Sequence, residues 1–192
     1  MSLVGFQAKN HRQQTVQGVD DSVDDRATTP QDFARFDKWL GPFTIDVAAS
    51  ARNAKCSRFF TRADDGLSRS WAGERVWCNP PYSSIGPWVE KAWLEHAGTS
   101  GIAMLLPANR TEQAWWQRHI EPHRDRTDSP LAVLFLPGRM RFIKPGATTI
   151  GPNERPPFGC CLATWGLKGQ LAQLQRDKTP TLFDPQEDGT DA

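Results

Sequence analysis

Tyrosine is nearly absent from this chain: Tyr82 is the only one in 192 residues. Cysteine and histidine are scarce too, at four each, and no Cys-x-x-Cys pair occurs. A zinc site built on closely spaced thiolates is therefore not expected, and no other metal is called for. Cys160 and Cys161 are adjacent, so on a strand they would face opposite sides and could not bond to each other. With Cys56 and Cys78 they read as reduced, buried thiols. No apolar run approaches the roughly 20 residues that a membrane span needs. The first seven residues turn polar without the apolar stretch of a signal peptide. The expectation is a cytoplasmic protein that does not cross a membrane. A Gly-x-Gly-x-x-Gly loop and a P-loop are also missing, which disfavours dinucleotide dehydrogenases and P-loop enzymes.

What is present alternates between two periods. Thr29-Pro30-Gln31-Asp32 predicts a helix start, with Thr29 as cap, Pro30 at the first helical position and Asp32 as the acidic partner. Phe33, Phe36 and Leu40 follow at helical spacing, and Gly41-Pro42 ends the run. Strands are predicted over 43–47, 75–78, 101–106 and 131–136. Later strands are expected over 139–143 and 158–165, with antiparallel pairing open to them. Further helices are expected from Pro87 with Trp88, Val89, Ala92 and Trp93, from a Thr111 cap with Trp115 and Trp116, and over about 167–176. Strands alternating with helices imply an α/β doubly wound, largely parallel sheet with helices on both faces. In such sheets ligands bind beyond the carboxyl ends of the strands. Residues 1–27 and the acidic stretch 180–192 are expected to be disordered.

Asn79-Pro80-Pro81-Tyr82 stands at such a strand end. Two successive prolines fix the backbone and remove two N–H donors. Carbonyl oxygens are then left to accept from something else. Asn79 adds an amide oxygen and Tyr82 a flat ring. Together they suit a planar group bearing an exocyclic NH₂, whose hydrogens would be accepted while its ring stacks.

This motif resembles the active-site signature of amino-methyltransferases that use S-adenosylmethionine. The series around it is similar to the phage-type DNA N6-adenine methyltransferases. The matching blocks are Thr29-Pro30-Gln31, residues 43–50, Asn53-Ala54-Lys55-Cys56, Asp64-Asp65-Gly66-Leu67 with Trp71, residues 76–82 and 88–92, Leu105-Leu106-Pro107 and residues 138–142. They cover residues 28 to about 165.

The resemblance implies a Rossmann-like methyltransferase domain over residues 28–179 and a site-specific transfer to N6 of a flipped adenine in double-stranded DNA. It makes Asn79, Pro80, Pro81 and Tyr82 the catalytic set, with hydrogens accepted by Asn79 and the Pro80 carbonyl and the ring stacked on Tyr82. It assigns Thr29, Pro30, Asp46, Ala48, Asp65 and Asn79 to the S-adenosylmethionine cofactor, with Asp64 a rival to Asp65. The Phe-x-Gly-x-Gly loop common among amino-methyltransferases is replaced by Ala48-Ala49-Ser50. Phage origin would place the enzyme in the host cytoplasm.

Charge fits an anionic partner. Residues 28–179 hold 20 basic and 14 acidic side chains, while residues 180–192 hold four acidic and no basic ones. Arg139, Arg141 and Lys144 resemble a DNA-facing block, and Arg110 lies at a strand end with the same expectation. The charged, proline-bounded stretch 120–130 is a candidate target-sequence loop. Two rivals are a protein glutamine N5-methyltransferase, which poses the same NH₂ clamping problem, and an inactive DNA-binding relic of the fold. The first usually carries a glycine-rich cofactor loop and an N-terminal helical domain, and neither is seen here. Intact Asn79 and Tyr82 oppose the second.

Overall fold

The computed structural model describes residues 24, 26–147 and 156–176. In chain order its elements are β1 (Ala27–Thr28), α1 (Pro30–Leu40), β2 (Ile45–Asp46), β3 (Arg58–Phe59), β4 (Arg75–Cys78), α2 (Gly86–Glu95), β5 (Gly101–Pro107), α3 (Ala114–His119), β6 (Leu131–Phe135), β7 (Phe142–Ile143), β8 (Cys160–Trp165) and α4 (Lys168–Arg176).

Six strands form one sheet in the order β3-β2-β4-β5-β8-β6. The pairs β2–β3, β2–β4 and β4–β5 are parallel, while β8 runs antiparallel to both β5 and β6. Five strands thus point one way and only β8 opposes them. The apolar run of β5 is buried along its whole length because both faces are covered. Ile102, Met104 and Leu106 enter one core with Val89 and Trp116 of α2 and α3. Ala103 and Leu105 enter the other with Phe36 and Leu40 of α1 and Leu171 of α4. This is the doubly wound architecture that the alternating pattern implied. Cys160 and Cys161 fall into opposite cores, as strand alternation requires.

Local signals are realised where the chain satisfies its own backbone. Thr29 caps α1, its hydroxyl accepting the Asp32 N–H at 2.9 Å and donating to the Asp32 carboxylate at 2.8 Å. The expected Thr111 cap is not formed. Helix α3 starts later, from an extended Gln113 whose carbonyl accepts the first helical N–H groups. The strand expected over 43–47 shortens to β2. The strand expected over 139–143 shortens to β7, which pairs with β1 in a separate two-stranded ladder. Strand β6 is an edge strand, so its residues are half-exposed rather than uniformly buried.

Two placements revise the organisation read from sequence. Asp24, Arg26 and the Ala27 strand residue make native contacts, so order begins inside the N-terminal segment expected to be disordered. The rest of that segment, residues 177–179 and the acidic tail 180–192 lie outside the described residues. Residues 120–130 lead into Leu131, which is level with Trp165 and Ile102 at the amino edge of the parallel strands. They are braced there by Arg124–Glu121 and Arg126–Asp128 pairs. They are therefore at the end of the sheet away from Asn79 and cannot serve as its target-sequence loop. Among the described residues, no helix is long and apolar enough to cross a membrane.

Candidate active site

Strand order reverses between β2 and β4: the chain moves outward from β2 to β3 and in the other direction from β4 to β5. Such a switch point opens a crevice at the carboxyl edge. Asp46 ends β2 and Asn79 follows β4, so the two flank this crevice. Val47 stays in register by donating to the Trp77 carbonyl at 3.1 Å.

The N-terminal segment clasps the motif. Asn79 Nδ2 donates to the Arg26 carbonyl at 3.2 Å. Asp24 accepts the Ser83 N–H at 2.8 Å and also bonds the Ser83 hydroxyl. The other end of the Asn79 amide, Oδ1, is buried with no hydrogen-bond partner. Buried acceptors are seldom left unpaired, so this oxygen marks a position for a ligand donor. Of the carbonyls expected to stay available, that of Pro81 is taken by the Ser84 N–H at 3.1 Å.

Two cavities meet at Asn79. The larger, about 180 Å³, is walled by Pro80, Tyr82, Phe142, Phe158 and the Pro156-Pro157 pair. Tyr82 packs edge-on to Phe142 at 6.4 Å and tilted against Phe158 at 6.0 Å. Its hydroxyl is buried without a hydrogen-bond partner, and burial pushes its pKa well above the ordinary phenol value. Sequence reasoning missed Phe158, because an aromatic before a strand looks like any core residue. The smaller cavity, about 20 Å³, is polar and lined by Thr28, Asp46, Ala48, Asn53, Lys55 and Trp77 among others. Asp24, Arg26 and Asn79 border both cavities.

The smaller cavity carries unsatisfied polar groups. The Thr28 hydroxyl and Trp77 Nε1 are buried without partners, and neither residue was singled out by sequence. Asp46 accepts from the Ala48 N–H at 3.3 Å and the Lys55 N–H at 3.0 Å. Burial nonetheless raises its pKa to about 6, against the pull of those N–H groups and of the Lys55 ammonium. Burial lowers the pKa of Lys55. Donors, a cation and a carboxylate around one small space suit a zwitterionic group. The thiols offer no alternative chemistry. Burial pushes those of Cys56, Cys160 and Cys161 up to about 12 and that of Cys78 well above its ordinary value, so none is an activated nucleophile.

The other expected residues are placed unequally. Thr29 and Pro30 do not line either cavity, and the Thr29 hydroxyl is occupied by the cap. Asp64 spends its carboxylate on the Thr61 N–H and hydroxyl, which lowers its pKa. Asp65 is exposed at φ 54°, with Oδ1 accepting from the Leu67 N–H at 3.2 Å. It too lies outside both cavities, although Gly66 presses its loop against the Val47 carbonyl at the carboxyl edge. Arg110 bonds the Tyr82 carbonyl and so braces the motif turn. Arg139 is exposed, and Arg141 and Lys144 are half-buried, on the segment that leaves β6 at the carboxyl edge. Trp116 is buried, while Trp115 is half-buried with Nε1 on Gln113.

Known proteins are similar to parts of this sequence. A "DNA N-6-adenine-methyltransferase" of Escherichia phage T1 is 36% identical over 98 residues, which are 50% of this chain and 41% of the relative. Another of the same description, from Haemophilus phage HP1, is 38% identical over 50 residues, 26% of this chain and 29% of the relative. The chain thus spans less than half the length of these curated relatives. A much longer stretch, residues 17–155, matches the family described as DNA N-6-adenine-methyltransferase (Dam), and it contains the clasp, the crevice and the Asn79-Pro80-Pro81-Tyr82 turn; the chain belongs to that family.

Proposed function

We propose that the protein is a DNA adenine-N6 methyltransferase that takes its methyl group from S-adenosylmethionine and acts on an adenine turned out of the duplex. The observation that carries this reading is the buried, unpartnered Oδ1 of Asn79 at the junction of the two cavities. It supplies the acceptor that an exocyclic amino group needs.

The larger cavity is below the roughly 300–1,000 Å³ of drug-sized pockets, in keeping with a single base. Its aromatic walls favour a ring over the flexible side-chain amide of a glutamine. Tyr82 holds the base by its face, a contact worth roughly 1–3 kcal/mol. The smaller cavity fits the amino-acid end of the cofactor. The Thr28 hydroxyl, Trp77 N–H and Lys55 ammonium would hold its carboxylate, and Asp46 its ammonium. Ala48 belongs to the same wall, with Thr29, Pro30 and Asp65 further out. When bound, S-adenosylmethionine supplies a methyl group activated on a sulfonium.

The amino group of adenine is a weak nucleophile because its lone pair is delocalised into the ring. By accepting N6 hydrogens, Asn79 Oδ1 and the Pro80 carbonyl favour the pyramidal nitrogen that attacks. Their positions are fixed beforehand by the Arg26 clasp and by two proline rings, so the residues need not reorganise as charge develops. Arg139, Arg141 and Lys144 extend the site toward the phosphate backbone.

The test is expression of the protein in cells lacking adenine methylation, mass spectrometry of the hydrolysed DNA, and methylation-sensitive sequencing to map the site. N6-methyladenine at a defined sequence is expected. Its absence, with purified protein that binds S-adenosylhomocysteine and DNA normally, would leave a binding relic. Methylated glutamine in cellular protein would move the reaction to another substrate class.

A further inference from the structure

Among the described residues, Arg26 is the one cation that borders both cavities. Its carbonyl accepts from Asn79 Nδ2, so the two residues are in direct contact. Its Nε is buried and has no hydrogen-bond partner. An unpaired donor on a charged group is costly to bury, and it is seldom left so unless a ligand completes it. Arg26 and Asn79 both line the larger cavity and each carries a vacant function, a donor on Arg26 and an acceptor on Asn79; the Tyr82 hydroxyl is a third buried polar group without a partner on that wall. The remaining walls of that cavity are largely aromatic rings and prolines.

We propose that Arg26 reads the target base by donating a hydrogen bond to a ring nitrogen flanking its amino group, so that Arg26 and Asn79 together recognise an amidine edge. This inference rests on the reading that a flipped adenine occupies the larger cavity. Adenine presents a donor, its exocyclic NH₂, beside acceptors at N1 and N7. The Arg26–Asn79 pair presents the complementary acceptor and donor. Guanine and thymine carry an oxo group beside a ring N–H, so on that edge both contacts would set donor against donor or acceptor against acceptor; on the N7 edge of guanine the Asn79 contact alone would be mismatched. Sites that hydrogen-bond a substrate reject mismatched analogues strongly for this reason. Drawing ring electrons toward a cation does not speed attack by N6. The contact therefore serves selection and placement of the base, not acceleration of the chemical step.

The experiment uses the full-length protein and duplexes in which the mapped target adenine is replaced by 1-deazaadenine or 7-deazaadenine, each lacking one ring nitrogen. Single-turnover methylation is read by mass spectrometry. Wild-type protein should lose roughly 10–100-fold in kcat/KM on one of the two analogues. Arg26→Ala and Arg26→Lys should lose a similar factor on adenine itself, and Arg26→Ala should show little further loss on that analogue. Comparison within the variant removes any difference in intrinsic reactivity between the bases. Equal rates of the wild type on adenine and both analogues would overturn the proposal, and this arm needs no variant to fold. So would a variant that discriminates as the wild type does, including one that instead loses affinity for S-adenosylhomocysteine by calorimetry. Absence of methylation on adenine itself would count against the methyltransferase reading, a separate outcome.

Discussion

Asn79 turns its amide nitrogen to the Arg26 carbonyl, 3.2 Å away, and this bond decides which end of the amide the cavity meets. With Nδ2 committed, Oδ1 is the atom presented to a ligand. Asn79→Ala removes that acceptor together with the clasp. The single-turnover methylation rate should fall by at least 10²–10³-fold, as for loss of one preorganised transition-state partner. Calorimetry should find affinity for S-adenosylhomocysteine within a few-fold of wild type, because the other cofactor-side groups stay in place.

Tyr82 should separate ring from hydroxyl. The buried hydroxyl has only the weakly hydrogen-bonding Cys160 thiol beside it, so Tyr82→Phe discards no strong hydrogen bond. Methylation rate and melting temperature should both stay close to wild type. Tyr82→Ala removes a core ring packed against Phe142 and Phe158. It should weaken DNA methylation and lower stability by roughly 3–5 kcal/mol in chemical denaturation. A Tyr82→Phe enzyme as inactive as Asn79→Ala would assign proton chemistry to the phenol and remove the stacking role.

Asp46 predicts a pH dependence of definite sign. Its folded pKa of about 6 lies above the ordinary 3.8, so the folded state holds the proton more tightly. Its contribution to stability is therefore full below about pH 4 and is lost as pH rises through about 6. Asp46→Asn cannot titrate. Relative to wild type, the variant should gain roughly 2–3 kcal/mol between pH 4 and pH 7. Urea denaturation of both proteins across that range measures the difference. A constant gap would mean that Asp46 titrates normally in the fold.

Arg139 and Arg141 occupy the carboxyl-edge segment beside the cavities. If both meet phosphates, Arg139→Ala and Arg141→Ala should weaken binding to all DNA sequences alike. Each should flatten the log Kd against log salt plot by about 0.9. Fluorescence anisotropy at several salt concentrations reads this slope. Slopes equal to wild type in both variants would remove these arginines from the backbone contact.

Gly66 is required by close approach rather than by a turn. A Cβ there would lie 2.2 Å from the Val47 carbonyl and 3.1 Å from the Trp88 ring. Gly66→Ala must push the Asp65 loop off the end of β2. We expect a loss of roughly 1–3 kcal/mol in thermal or chemical unfolding, typical of overpacking. Weaker binding of S-adenosylhomocysteine should accompany it if Asp65 contacts the cofactor.

What could be read from the sequence was what local chemistry dictates. The β5 run needs cover on both faces, the Thr29 cap closes on a residue three positions away, and two adjacent prolines mark Asn79. Each depends on neighbours in the chain. Asp24 and Arg26 were hidden because their partners, Ser83 and Asn79, lie more than 50 residues on. A polar segment without periodicity gives no sign of such bonds. Phe142 and Phe158 were legible as apolar but not as a wall, since a cavity leaves no mark on hydrophobic spacing. Thr111 failed as a cap because Gln113, an unremarkable residue for that role, takes the first helical N–H groups through its carbonyl.

Among the described residues, strand β8 is the last in chain order but lies between β5 and β6, not at the rim. On the ribosome, every other strand of the large sheet emerges before it. Until it arrives, β5 and β6 both expose unpaired edges, the kind of surface that joins stray chains. The turn leading into β8 also brings Pro156, Pro157 and Phe158, so the unfinished chain lacks part of the wall of the larger cavity. Closure of the sheet and completion of the larger cavity thus wait on the same segment, and a nascent chain lacking β8 has both an open sheet and an unwalled cavity.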